Sequence, residues 1–229
     1  FAVAGGVVHG EDGKDGHLKS VIYVVGGIGA VAPFKDVWAS ENLGKTHVRT
    51  CAEAPFGARV NSGLAVCPGR PERLALVGGG WNDDIELWDC WLSVDYGETW
   101  TEVATPHNSF QRRMPAIAFT QPDLLVVLGG HNRRAPYEDA HVGLIQWHDK
   151  AASWQQFEIS VAASRGEQET LDEMADDERP CFLNYFTAFD LWSGEFVGIG
   201  TGGQIAMGRL PESVVLGRIT RLPLTDGEL

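Results

Sequence analysis

The chain has 229 residues, 44% apolar and 21% charged, with 28 glycines and 8 tryptophans, a globular, turn-rich composition that excludes a disordered or collagen-like chain. Its net charge of -13 argues against a nucleic-acid surface, which needs clustered Lys and Arg, and favours basic ligands or basic partner faces. No apolar run approaches the roughly 18 residues a membrane span requires, so none is expected, and no pattern marks a signal peptide. The chain starts at Phe1 inside a strand-like run, so neither a compartment nor a native N-terminus is assigned.

In chain order, the first unit opens with an apolar strand at residues 1–8 and continues with Ser20-Val-Ile-Tyr-Val-Val-Gly-Gly27, a β-branched run closed by a glycine pair. A polar loop leads to Asp36-Val-Trp-Ala-Ser40, and a weaker strand follows at 47–52. The second unit repeats this order: 60–67, then Arg73-Leu-Ala-Leu-Val-Gly-Gly-Gly80, Asp89-Cys-Trp-Leu-Ser93 and 100–104. The third has 114–120, Leu124-Leu-Val-Val-Leu-Gly-Gly130, 141–147 and 154–160. A fourth unit has 185–189, Glu195-Phe-Val-Gly-Ile-Gly-Thr-Gly-Gly203, 213–219 and 221–224. Gly26, Gly78 and Gly129 are 52 and 51 residues apart, and the last interval stretches to 73.

A fixed period of about 40 to 50 residues with four short strands per unit is the signature of propeller blades. The fold expected is therefore an all-β β-propeller segment with four four-stranded blades, at about 1–55, 56–107, 108–161 and 181–226, the first strand of each innermost. The glycine pairs are expected to adopt positive φ and to let the backbone approach the next sheet. Gly26-Gly-Ile-Gly29 is not a phosphate loop, because a strand and not a helix follows it.

A second repeat lies in the turn between third and fourth strands. Ser93-Val-Asp-Tyr-Gly-Glu-Thr-Trp100 sets Asp95, Gly97, Thr99 and Trp100 at offsets 0, 2, 4 and 5; the same offsets give Asn42, Gly44, Thr46 and His47, and Asp149, Ala151, Ser153 and Trp154. The carboxylate or amide hydrogen-bonds its own turn, the glycine supplies a left-handed residue, and the aromatic packs as the last strand begins. The segment at 162–180 lies outside the repeat; it holds seven acids, flanked by Arg165 and Arg179, and reads as a solvated insertion.

The apolar strand ending in Gly-Gly, with an aromatic in the third strand, resembles kelch repeats and the galactose-oxidase-type propeller. The Ser93 to Trp100 turn resembles the Asp-box, or BNR repeat, of sialidases and sortilin-like propellers. The kelch-like resemblance implies that ligands use the face carrying the loops after each glycine pair and before each first strand. These loops hold Trp81, Asn82, Arg113, His131, Arg133 and Arg134, the candidate binding residues, because Trp and Arg combine buried area with directional donors. Arg133 and Arg134 could equally pair with Glu138 and Asp139 in their own loop.

The function expected is a non-catalytic protein-interaction or scaffold module, as part of a larger assembly or free-standing, with a protein partner and no cofactor. The alternative is a glycan-acting protein: a sialidase-like hydrolase, a lectin or, less so, a copper oxidase. Arg113-Met-Pro115 is similar to the Arg-x-Pro element of sialidases, but none of Tyr23, Tyr96, Tyr137 or Tyr185 stands out as a nucleophile. The scattered histidines give no copper set, and Cys51, Cys67, Cys90 and Cys181 have no zinc spacing and read as free thiols.

Overall fold

Among the described residues, alternation of apolar residues and glycine punctuation produce sixteen strands in four antiparallel four-stranded sheets. The computed structural model describes residues 2–9, 18–81, 86–106, 110–132, 137, 139–158, 161–163, 186–189, 195–199 and 205–209, with side-chain surroundings for those between 21 and 156. There is no helix among the described residues, hence none long and apolar enough to cross a membrane.

The first sheet runs in order β1 (Ala2–His9), β2 (Leu18–Val25), β3 (Val37–Ser40) and β4 (Val48–Cys51). The second holds β5 (Gly63–Cys67), β6 (Arg70–Val77), β7 (Cys90–Ser93) and β8 (Thr101–Val103). The third holds β9 (Ala116–Gln121), β10 (Leu124–Leu128), β11 (Asp139–Gln146) and β12 (Ala151–Glu158). The strands β1, β5, β9 and β14 (Phe186–Phe189) adjoin one another in that order, so the sheets share one inner edge.

Side-chain period two then decides which sheet buries which residue. Val21, Tyr23 and Val25 of β2 pack with Leu64, Leu74, Leu76 and Trp100 in the core between first and second sheets. Ala75 and Val77 of β6 point the other way, into a second core with Phe119, Leu125, Val127 and Trp147 of the third sheet. A central strand buried on both faces must be apolar throughout, which is why β6 ends in an unbroken Leu-Ala-Leu-Val run. Each fully buried Leu or Val contributes about 1.5 to 3 kcal/mol. Hydrogen bonds cross the sheets as well: Tyr23 Oη donates to Pro71 O at 2.8 Å, and Trp154 Nε1 to Ala104 O at 2.7 Å.

The fourth sheet departs from the sequence reading. Its third position is filled by β16 (Ile205–Arg209), beside β15 (Glu195–Ile199), and its outer position by β13 (Val161–Ala163). The expected strands at 213–219 and 221–224 lie outside the described residues, as do residues 164–180 of the acidic segment. Because Ile205 pairs with Ile199, only residues 200–204 link the hairpin, a shorter loop than one reaching residue 213 and cheaper to close. Val161, assigned by the repeat to the end of the third blade, instead pairs with Gly208.

Candidate functional site

The loops at the glycine ends of the sheets are built on an interlock between neighbouring units. Gly78 and Gly79 have φ of 58° and 93°, and Gly79 N donates to Arg112 O at 2.9 Å. A Cβ on Gly78 would stand 2.5 Å from that same carbonyl, so both the φ and the close approach require glycine. One unit earlier, Gly27 N donates to Arg59 O at 2.9 Å and a Cβ on Gly26 would meet it at 2.6 Å. The first two glycine pairs thus each hold the lead-in to the next sheet.

The side chains of those two lead-in arginines turn inward. Arg59, 1% exposed, donates through Nη1 to Gly78 O at 3.0 Å and Asp89 Oδ1 at 2.8 Å, and through Nη2 to Asp89 Oδ2 at 2.6 Å and to Phe56 O. Arg112, fully buried, makes the same set one unit on: Gly129 O at 2.8 Å and Asp139 at 2.9 and 3.3 Å. Each carboxylate also accepts from the ring two residues later, Asp89 from Trp91 Nε1 at 2.7 Å, while His141 Nε2 lies 3.1 Å from Asp139. Burial alone would raise the Asp139 pKa, but hydrogen bonds from His141 and Arg112, with the charge of Arg112, reverse this and hold it at about 2. Bidentate geometry suits arginine here; lysine would satisfy one oxygen at most.

Beyond this interlock lies the face carrying the candidate residues. Arg113 and His131 are brought together: their backbones form a two-way bridge, Arg113 N to His131 O at 2.8 Å and His131 N to Arg113 O at 3.0 Å. Val60 and Gly80 form the equivalent bridge one unit earlier, and Gly80 is bridged in turn to Glu86. Glu86, not singled out from the sequence, lies with Oε1 4.0 Å from Arg113 Nε. Gln111 Nε2 donates to Glu86 O at 3.2 Å, Tyr137 Oη to Gln111 O at 3.1 Å, and Asn132 Nδ2 to Tyr137 Oη at 2.8 Å, a chain that ties the 111–113 and 131–137 segments together. Trp81, next to Gly80, and Trp88 are each 43% exposed. Asn82, Arg133 and Arg134 lie outside the described residues. Asp139, one sequence candidate for pairing with Arg133 or Arg134, is engaged by Arg112, and Glu138 lies outside the described residues.

At the opposite end, the turn at Ser93–Trp100 is closed by side-chain hydrogen bonds. Thr99 N donates to Asp95 Oδ1 at 2.9 Å, Thr99 Oγ1 donates to Asp95 Oδ2, and Trp100 Nε1 donates to Gly97 O at 3.0 Å. Ser93 completes it, donating to Asp95 Oδ1 at 2.8 Å while accepting from Gly97 N at 3.0 Å. Burial opposes ionisation of Asp95, but the bonds from Thr99 and Ser93 outweigh it and lower the pKa. The first unit matches this closely: Ser40 donates to Asn42, which accepts from Thr46 N, and Gly44 N donates to Ser40. The third unit has a different turn. Gln146 pairs with Ala151 across a four-residue link containing Asp149, and Trp154 sits within β12 opposite Gly143, not at the strand's start. Trp147 replaces the serine and Ala151 the glycine, so the bridging hydroxyl is missing, and the left-handed conformation of this turn falls on Lys150, with φ of 50°.

No family model matches the chain, and no curated protein does. Solved structures do: 117 chains match, among them one titled "Structure of YjhT", with a TM-score of 0.50, 10% identity, and coverage of 85% of this chain and 84% of that one. At 10% identity the likeness concerns the all-β fold alone.

Among the described residues no group of three or more His, Cys, Asp or Glu is placed to hold a metal ion. Cys51, Cys67 and Cys90 are free thiols, and Cys181 lies outside the described residues. Burial pushes Cys67 up to about 11 and Cys90 higher still, which leaves both protonated and unreactive at neutral pH. Chemically, the loop face offers a half-buried imidazole and two part-exposed indoles, while the Arg113 guanidinium and the Glu86 carboxylate are largely buried beside each other.

Proposed function

We propose that the chain is a kelch-like propeller segment with Asp-box-type turns, working as a non-catalytic interaction module whose loop face binds a protein partner. The observation carrying this reading is the joining of Arg113 to His131 by a backbone bridge, with Glu86 beside Arg113 and the half-exposed Trp81 one residue beyond Gly80. Loops zipped at their base on rigid strands present side chains at little ordering cost, which favours binding. The four-strand repeat and the likeness to a solved all-β structure support the propeller architecture.

The test is a quantitative capture experiment with the 229-residue chain and two variants. One replaces Trp81, Asn82, Arg113, His131, Arg133 and Arg134 with alanine; the other replaces Leu43 and Tyr96 on the turn face. A specific partner lost by the first variant and kept by the second supports the reading. Equal recovery by all three proteins overturns it.

A second reading follows from Trp81 and Trp88, since exposed indole faces also stack on sugar rings. A glycan array bound by the wild type and silent with the Trp81→Ala variant would select a lectin over a protein-binding module.

A further inference from the structure

The loops after the first three glycine pairs share one base and differ in what stands on it. Phe34 N donates to Gly27 O, Leu87 N to Gly79 O and Tyr137 N to Gly130 O, each at 2.8 Å. Below these bonds the first glycine of each pair donates to the carbonyl of Asp36, Asp89 or Asp139 at 3.0, 3.0 and 3.1 Å. On that common base the second and third units carry charged sequences, Trp81-Asn-Asp-Asp-Ile-Glu-Leu-Trp88 and His131-Asn-Arg-Arg-Ala-Pro-Tyr-Glu-Asp139. The first unit carries Gly27-Ile-Gly-Ala-Val-Ala-Pro-Phe34, in which no side chain is charged or can form a hydrogen bond.

Within this first loop the chain folds into a small hairpin. Ile28 and Pro33 form an antiparallel bridge, and Gly29 N donates to Ala32 O at 3.0 Å, which leaves Ala30 and Val31 as the turn. The base is held from outside as well: Gly27 N donates to Arg59 O at 2.9 Å, and Arg59 N to Phe34 O at 3.0 Å. Period two puts Ile28 and Pro33 on one face of the hairpin and Phe34 on the other, where a Cβ on Gly29 would stand 2.8 Å from the Phe34 Cζ. The finger is therefore apolar on both faces and at its end. Ile28 is 65% exposed, Phe34 49% and Val31 98%. A two-residue turn ordinarily takes Gly, Asn or Asp, so alanine and β-branched valine at this one serve no local need. Such a departure, at an exposed position on a firmly held base, is where function is to be sought.

We propose that residues 28–34 are an apolar finger that enters a cleft of a protein partner, a cleft with apolar walls and a basic rim. Two apolar faces meeting at a projecting tip suit a cleft, which covers both, better than a flat surface, which covers one. Charge selects the rim: the chain carries a net charge of -13, and Lys35, the cation next to the finger in sequence, is paired with Glu53. The same charge disfavours a lipid surface, because interfacial segments hold anionic lipid through Lys and Arg, which residues 27–34 lack, and it opposes a second copy of the chain. The inference rests on the loop-face reading above and adds to it the residues that enter the partner and the chemistry they meet there.

The test uses the 229-residue chain, its Val31→Ser variant and, as competitor, a cyclic peptide copying residues 27–34. Val31 makes too little contact for its replacement to unfold the chain, and circular dichroism checks this. A protein captured by the wild type is identified, purified and titrated by calorimetry. Binding is expected to weaken about tenfold or more with Val31→Ser, the loss of one buried aliphatic side chain, and to be displaced by the cyclic peptide and weakened by added salt. A partner that binds Val31→Ser as tightly as the wild type overturns the finger; if the same partner is lost when Trp81, Asn82, Arg113, His131, Arg133 and Arg134 are replaced with alanine, the loop-face reading survives. Recovery of no partner overturns both. Phosphatidylcholine vesicles that carry down the wild type but not Val31→Ser also overturn the finger's protein occupant in favour of a bilayer, and a dimer dissolved by Val31→Ser does so in favour of a second copy.

Discussion

Asp89 and Asp36 occupy the same place in neighbouring sheets, one residue before the third strand and two before an indole, yet only Asp89 is clasped by a guanidinium. Around Asp89 the neighbouring sheet, the phenylalanine and the glycine-held backbone all close together; around Asp36 no described residue takes the equivalent places, and Ile22 and Val24 on that side are half-buried. The contrast shows that the repeated unit is not self-sufficient. Half of its core, and the partner of its carboxylate, lie in the polypeptide that precedes its own inner strand, as in stacked repeat architectures generally.

The largest effect expected from this contrast is at the arginines. Arg112→Ala should destabilise the fold by about 3 to 5 kcal/mol, since it strands a carboxylate that is 13% exposed, whereas Asp36→Ala should cost about 1 kcal/mol or less. Urea unfolding of both variants checks this, and similar losses would erase the distinction between the two sites. A smaller separation is expected at the glycines: Gly78→Val about 3 kcal/mol, from positive φ and the clash with Arg112 O, and Gly44→Ala about 1 kcal/mol from φ alone. Thermal melts with equal shifts would place a neighbouring segment over Gly44 as well.

The smallest expected effect is acid sensitivity. The folded pKa of Asp139 is below its ordinary value, so its stabilising contribution is present in full above about pH 4 and is lost as pH falls through about 2. The size is about 2 kcal/mol. Asp139→Asn cannot titrate there and should lose less stability than wild type between pH 5 and pH 2; equal losses would refute the assignment.

Much of the architecture was legible because each strand repeats one local statement, an apolar run stopped by glycines. The Asp95 turn was legible too, although the serine that completes it, Ser93 or Ser40, was not weighed; its replacement by Trp147 would have separated the third copy from the other two. The arginines divided differently. Arg113 was read as a surface donor; its backbone bridges to His131 on the loop face, while its side chain is only 12% exposed beside Glu86. Arg59 and Arg112 precede first strands in loops that look equally polar, yet they are among the most buried side chains described. The usable signal was recurrence: in both the second and third units an arginine stands four residues before the first strand and an aspartate immediately precedes or opens the third. A single loop cannot show this, because an arginine paired inside a fold and one facing solvent have the same local sequence. Glu86 escaped for a similar reason, since its position depends on the bridge to Gly80 across a loop.

The origin of β13 bears on the order of events during synthesis. In the first three sheets each new strand pairs with the one just made, so every sheet can grow by successive hairpins as it leaves the ribosome. Val161 must wait until Gly208 has been translated. The fourth sheet therefore has the longest-range pairing described here, and loop closure at that separation slows its formation relative to the others. Its outer strand is also anchored through β12 to the third sheet before its inner three exist. A nascent chain halted after Ala163 would thus carry three sheets and one unpaired edge strand, a template already in position for the hairpins that follow.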